Sequence, residues 1–215
     1  MKVEVTPVGT SKKYNTVIQP AILEGDNLRL VPMLATADAE KLYAVYSQSP
    51  QVFKYFPDGP SDTLEEFKAL YQSFDDDITR LTFLVYDKNS TPEPIIGSVQ
   101  FLDLYPSHKR NEIGSIWITP SMHGTYALLE INLLLMSYSF EDLKFKRVQW
   151  KTHHENIASQ KAALKLGFKY EATFKNHIIM YDGTTRHSLY YSVVDEDWPT
   201  VKEGLEARIQ QRKQQ

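Results

Sequence analysis

The chain has 215 residues and a formal net charge of -3, which removes the electrostatic case for a nucleic acid or an anionic membrane surface as its main partner. Hydrophobic residues make up 42% and aromatic residues 12%, enough to build one well-packed domain and to exclude general disorder. With no cysteine, disulfides, thiolate metal ligands and a cysteine nucleophile are excluded, while the redox compartment stays open.

Residues 1–20 contain Pro7 and Pro20 and little periodicity, so they read as an arm lying on the domain. The run Met1 to Pro7 lacks the apolar stretch of a secretory signal, and nothing later approaches the roughly 20 apolar residues of a membrane span. A soluble intracellular, cytoplasmic protein is therefore expected. Asn27 to Pro32 alternates and stops at proline, which predicts a first strand. Ala35 to Tyr46 predicts a helix, with Leu42, Val45 and Tyr46 at helical spacing. Ser49 to Pro60 is a turn-rich aromatic loop. Asp62 to Glu66 has the form of a capping box, and Leu64, Phe67, Leu70, Tyr71 and Phe74 supply the apolar face of the helix behind it.

The period then changes from helical to alternating. Leu81–Tyr86 and Ile95–Leu104 predict strands joined by the hairpin-like segment 87–94, and Asn111–Ile118 predicts another, stopped by Thr119 and Pro120. Thr125 to Phe140 is apolar on most faces, as a buried helix should be, with Ala127, Ile131, Leu134, Leu135 and Tyr138 along one side. Lys146–Lys151 predicts a strand. Lys169–Phe174 and His187–Val194 predict two more, the second entered through a Tyr181-Asp182-Gly183 turn. A last helix starts at Trp198, with Val201, Leu205 and Ile209 on its apolar side, and its end at 212–215 is expected to fray. No internal repeat or linker divides the chain.

Between the strand at 146–151 and the strand at 169–174 lies the most informative stretch, Asn156 to Phe168. Ala158, Ala162 and Leu166 recur every four residues with Ala163 beside them, Asn156 suits the N-cap, and Gly167 suits the left-handed position after the helix. Capping alone would explain both terminal residues.

Taken with its neighbours, this stretch makes the chain resemble the GCN5-related N-acetyltransferases (GNAT), within them the RimJ/RimL-type group. The likeness rests on Glu112-Ile113-Gly114 entering the strand to Ile118, the loop and helix from Pro120 to Glu130, Asn156-x-x-Ser159 through Gly167-Phe168, and Tyr181-Asp182-Gly183 with Tyr191-Ser192 and Trp198-Pro199. The resemblance implies an α/β fold with a mixed, mainly antiparallel sheet of six to seven strands, helices on both faces and a splayed central strand pair. It divides the chain into an arm at 1–20, the acetyltransferase domain at 21–198, and a C-terminal helix and tail at 199–215. It also implies acetyl-CoA as co-substrate, no metal, and an amine acceptor, either a protein N-terminus or a small molecule, with direct attack in a ternary complex.

Residue by residue, the resemblance places the pantetheine arm along Ile116, Trp117 and Ile118 and at Asn156. The pyrophosphate would sit at the loop and helix start from His123 through Gly124, Thr125, Tyr126, Ala127 and Leu128 to Leu129, because a helix N-terminus offers unpaired N–H groups. The family pattern there is Gln or Arg, two residues, Gly, one residue, then Gly or Ala; this chain has His123, Tyr126 and Leu128 instead, and bulky side chains there would reshape the cradle. A non-catalytic acyl-CoA-binding or interaction protein of the same fold is the second reading that this departure keeps open. Many members carry a tyrosine acid seven residues after the asparagine, where this chain has Ala163. RimJ/RimL-type members have a serine at the third position, and Ser159 matches it as the acid. Glu112 matches an acidic position for the base, with His177 and His187 as alternatives. Phe53, Tyr55 and Phe56 offer aromatic walls for the acceptor, and Lys54 would repel a charged amine. His153 and His154 invite a zinc reading, but neighbours on a strand point to opposite faces, so no metal site is expected.

Overall fold

The computed structural model describes residues 3–8, 14 and 16–213. Among them, strands β1 Glu4–Pro7, β2 Ala21–Glu24, β3 Leu28–Pro32, β4 Leu81–Asp87, β5 Ile95–Tyr105, β6 Arg110–Ile118, β7 Arg147–His153, β8 Lys169–Ile179 and β9 Thr185–Val194 form one sheet. Its order is β1-β2-β3-β4-β5-β6-β7-β9-β8. All neighbours are antiparallel except β6 and β7. Nine strands replace the six to seven expected, and the additions sit at the N-terminal edge. β1 is mostly exposed and is held by backbone pairing, Glu4 opposite Glu24 through Pro7 opposite Ala21, so no side-chain alternation announces it. Residues 1–2, 9–13 and 15 of the predicted arm, and 214–215 of the end expected to fray, lie outside the described residues.

Helices α1 Ala35–Tyr46 and α2 Leu64–Asp76 cover one face of the sheet, and α3 Ala127–Ser137, α4 Ile157–Lys165 and α5 Trp198–Lys213 the other. β4 shows the division within one strand, since Leu81, Phe83 and Val85 pack with α3 and α5 while Leu84 joins α1 and α2. The predicted capping box is present, Thr63 accepting from the Glu66 amide and Glu66 accepting from the Thr63 amide. α1 instead has Leu34 at its N-cap with no side-chain cap bond, and the Ala35 amide donates to Asp75 at 2.6 Å.

Three features of this frame shape what lies at its centre. The buried carboxylate of Glu130 in α3 accepts from the Asn27 and Leu28 amides at 2.8 and 3.0 Å, tying α3 to the β2–β3 turn. Next, β6 and β7 pair only from Arg110 opposite Arg147 to Glu112 opposite Gln149, and then diverge. Finally, Gln100 pairs with Gly114 and Ser98 with Trp117, so β6 carries one extra residue in that interval. This is a β-bulge with Ser115 at φ 46°, and it re-aims the side chains that follow.

α4 behaves as its sequence indicates. Asn156 accepts from the Ser159 amide at 3.0 Å, and Gly167 ends the helix at φ 93°. A Cβ at Gly167 would meet the Val201 methyls at 2.9 Å, so glycine is required by conformation and by the approach of α5. Among the described residues no helix is long and apolar enough to cross a membrane.

Candidate active site

Where β6 and β7 part, a cleft of about 610 Å³ runs through the sheet. β6 supplies Glu112 and Gly114 through Ile118, β7 supplies Trp150 through His153, α4 supplies Asn156, Ala158, Ser159 and Ala162, and the α3 approach supplies His123, Gly124 and Leu128. Tyr55 and Phe56 wall one mouth.

Glu112 is buried, 2% exposed, rather than solvated at a strand edge. Its carboxylate pairs with Lys151 Nζ at 2.9 Å, and Gln149 donates to it at 3.4 Å. Burial pushes the carboxyl up to about 7, and the attraction of Lys151 offsets only part of that. Burial also pulls Lys151 down, but Glu112 and Asp103 together outweigh it and hold the ammonium above its usual value. A carboxyl poised near neutrality can take a proton at physiological pH.

Ser159 stands on the first turn of α4. Its hydroxyl oxygen accepts from the indole N–H of Trp150 at 3.0 Å, which leaves the hydroxyl proton to be donated. The two groups come from elements far apart in sequence and line the same cleft.

At the α3 entrance, helix geometry leaves the first amides without intrahelical acceptors. Ala127 N donates to Thr125 Oγ1 at 3.1 Å and Glu130 N to Tyr126 O at 2.9 Å, leaving those of Leu128 and Leu129 for a ligand. Gly124 has φ 76°, and a Cβ built on it meets nothing within 4 Å, so the space it faces is open. Tyr126 does not narrow this cradle as expected. Its hydroxyl donates to Asp87 at 3.1 Å and accepts from Asn89 at 2.7 Å, drawing the ring onto the β4–β5 hairpin. Of the unusual residues only His123 and Leu128 line the cleft, and the His123 ring lies 3.2 Å from the Ile118 carbonyl.

The structure gathers Glu112, Ile116, Trp117, Ile118, His123, Gly124, Leu128, Asn156, Ser159, Tyr55 and Phe56 around the cleft. Others fall outside it. Phe53 is 2% exposed, its ring centroid 4.9 Å from Tyr46 and 4.5 Å from Phe56, so it is core beneath the wall. Thr125 turns its hydroxyl to the Met122 carbonyl at 2.8 Å, Ala127 is fully buried, and Leu129 packs against the core. His177 and His187, the alternative bases, are not in the lining. The expectation that His153 and His154 face opposite ways is also corrected. β7 ends at His153, alternation stops there, and the two rings stack 4.4 Å apart. Among the described residues no cluster of three or more His, Asp or Glu side chains forms a site for a metal ion.

Trp150, Lys151, His153 and Arg186 line the cleft and were missed. The alternation of β7 and β9 carried the only signal, because Lys151 lies opposite Tyr190 and His153 opposite Ser188, putting Lys151, His153, Arg186, Ser188 and Tyr190 on one face. The 52–60 loop is held over this face by the hairpin turn, where Tyr181 N donates to Pro57 O at 2.9 Å. Gly59, at φ 71°, lies under the Tyr181 ring, where a Cβ would come within 2.4 Å.

Comparison with known proteins gives a consistent result. A family model described as an acetyltransferase (GNAT) domain matches residues 27–169. A Bacillus subtilis (strain 168) protein described as the uncharacterized N-acetyltransferase YoaA is 28% identical over 180 residues, covering 80% of this chain and 96% of that one. Among solved structures, a GCN5-related N-acetyltransferase from Brucella melitensis superposes with a TM-score of 0.80 at 29% identity, covering 94% of this chain and 88% of the other. A spermidine N-acetyltransferase from Vibrio cholerae, in complex with CoA and spermine, shares the fold alone, with a TM-score of 0.66 at 18% identity over 81% of this chain and 99% of that one.

Proposed function

The chain belongs to the acetyltransferase (GNAT) domain family and moves an acetyl group to an amine, and from that premise we propose that Glu112 is the base and Ser159 the acid of a direct transfer in a ternary complex. The observation that carries this reading is the presence of a buried carboxyl held near neutrality and a hydroxyl with a free proton in one cleft. Acetyl-CoA supplies the activated acetyl thioester. The chain's residues fit it: the open space at Gly124 and the amides of Leu128 and Leu129 suit a pyrophosphate, and the edge of β6 at Ile116 to Ile118, released by the splay, suits the pantetheine amides. Glu112 removes a proton from the attacking ammonium or amine, and Ser159 gives one to the departing sulfur, with Trp150 holding the serine oxygen in place.

Titration of the protein with acetyl-CoA in a calorimeter tests the donor site, and thiol release with an amine panel tests turnover. Saturable binding with acceptor-dependent thiol release is expected. Binding without release to any amine would favour the non-catalytic reading. Gly124→Ala is expected to weaken acetyl-CoA binding by about tenfold, roughly 1.4 kcal/mol, because the new methyl enters the ligand's space and the φ of 76° that glycine tolerates strains the loop around an alanine. Unchanged affinity in that variant would remove the loop from the proposed phosphate site.

A further inference from the structure

Resting on this acetyltransferase reading, we propose that the acceptor is a small amine that also carries a carboxylate, and that Arg186 is the residue that holds the carboxylate. Arg186 is 7% exposed and lines the cleft. Its Nε donates to Ser188 Oγ at 2.9 Å. Among the described residues its guanidinium makes no ion pair within 4 Å; Glu112, the charge that acts on it most, is already paired with Lys151 and only partly offsets the burial that pulls the guanidinium down. The other cations of the lining are satisfied: Lys151 by Glu112 at 2.9 Å and Asp103 at 3.2 Å, and Arg80 by Asp77 at 3.0 Å. A buried charge is costly unless it is paired, so an unpaired guanidinium at a ligand cleft marks a place for an anion.

The chemistry narrows the anion. With Nε engaged, Nη1 and Nη2 remain as a planar pair of donors suited to a carboxylate. Strand register puts Arg186 on the same face as Ser188 and Tyr190, and therefore with Lys151 and the base it pairs, on the side of the sheet opposite the one where Val148 and Trp150 pack with α3, whose N-terminus would take the phosphates. An anion held there would therefore belong to the acceptor. Val52, Tyr55 and Phe56 give the wall apolar surface and Asp58 stands in the same lining as a carboxylate for the acceptor's ammonium, which suits an amino-acid-type acceptor with an apolar body. A polyamine would meet an unpaired cation instead.

The test compares acid and amide partners as acceptors: glycine, 4-aminobutyrate, leucine and phenylalanine against the corresponding amides, with spermidine and a short peptide alongside. Wild type is expected to prefer at least one acid over its amide by about tenfold or more in kcat/KM. Arg186→Met is expected to lose about a hundredfold on that acid and far less on the amide, whose acid limb moves up because Glu112 loses a cation that lowered its carboxyl, with acetyl-CoA affinity preserved. Arg186→Lys, which keeps the charge and loses the fork, should recover part of the acid rate and guards against a folding defect in the methionine variant. Equal losses on acid and amide, or a wild-type preference for amides or spermidine, overturns the inference while leaving acetyl transfer intact. Absence of transfer to every amine, with acetyl-CoA bound, overturns both.

Discussion

Replacing Glu112 with glutamine is expected to lower kcat/KM by about 10² to 10⁴, the usual contribution of a positioned general base. The substitution keeps the size of the side chain and leaves Lys151 with Asp103 at 3.2 Å as a partner, so the loss reports proton transfer more than collapse. Because burial raises the Glu112 carboxyl to about 7, the wild-type rate should fall as pH drops through that value, the protonated carboxyl being unable to accept a proton. The glutamine variant should lack this limb. Stability offers an independent reading with its own sign. Burial pushes the folded carboxyl up to about 7 from the ordinary 4.5 that it keeps in the unfolded chain, so its stabilising contribution is complete below 4.5 and is lost as pH rises through 7. Across that window the melting temperature of wild type should decline relative to Glu112→Gln. A rate profile that keeps its acid limb in the variant would take Glu112 out of the mechanism.

Ser159→Ala is expected to reduce kcat by about 10- to 100-fold on acetyl-CoA, with acetyl-CoA affinity nearly unchanged. The backbone amide at 159 still bonds Asn156 Oδ1, so α4 keeps its cap, and the Trp150 indole N–H loses one acceptor at a cost of about 1 kcal/mol. An acetyl donor with an aryl thiolate leaving group needs little protonation, and the variant should recover most of its rate on it. Equal losses on both donors would mean that Ser159 positions rather than protonates.

Local rules were enough for most of the elements. The Thr63–Glu66 cap, the Asn156 cap and the left-handed Gly167 were all legible because each depends on residues within a turn or two, and the span of α1 was legible from the spacing of Leu42, Val45 and Tyr46 although Asp75 of α2 holds its first amide. β1 was not, since its partner Ala21–Glu24 lies on the far side of a segment with no pattern and the pairing is made by backbone alone. Phe53 shows a different limit. Its neighbours Tyr55 and Phe56 wall the cleft, and an aromatic run does not say which ring turns inward.

The sequence by itself determined the order of elements from β3 onward, the family, and the identities of Glu112, Ser159 and Asn156 as candidates, because these rest on residue type and spacing along the chain. Only the tertiary structure decided what those groups are. Glu112 is poised near 7 by burial beside Lys151, Ser159 has its oxygen held by Trp150, Tyr126 leans onto Asp87, and Arg186 stands buried without a carboxylate. Desolvation, pairing and access are properties of surroundings assembled from β6, β7, β9 and α4. Those surroundings exist only once a short parallel contact between β6 and β7 has been made and broken off three pairs later.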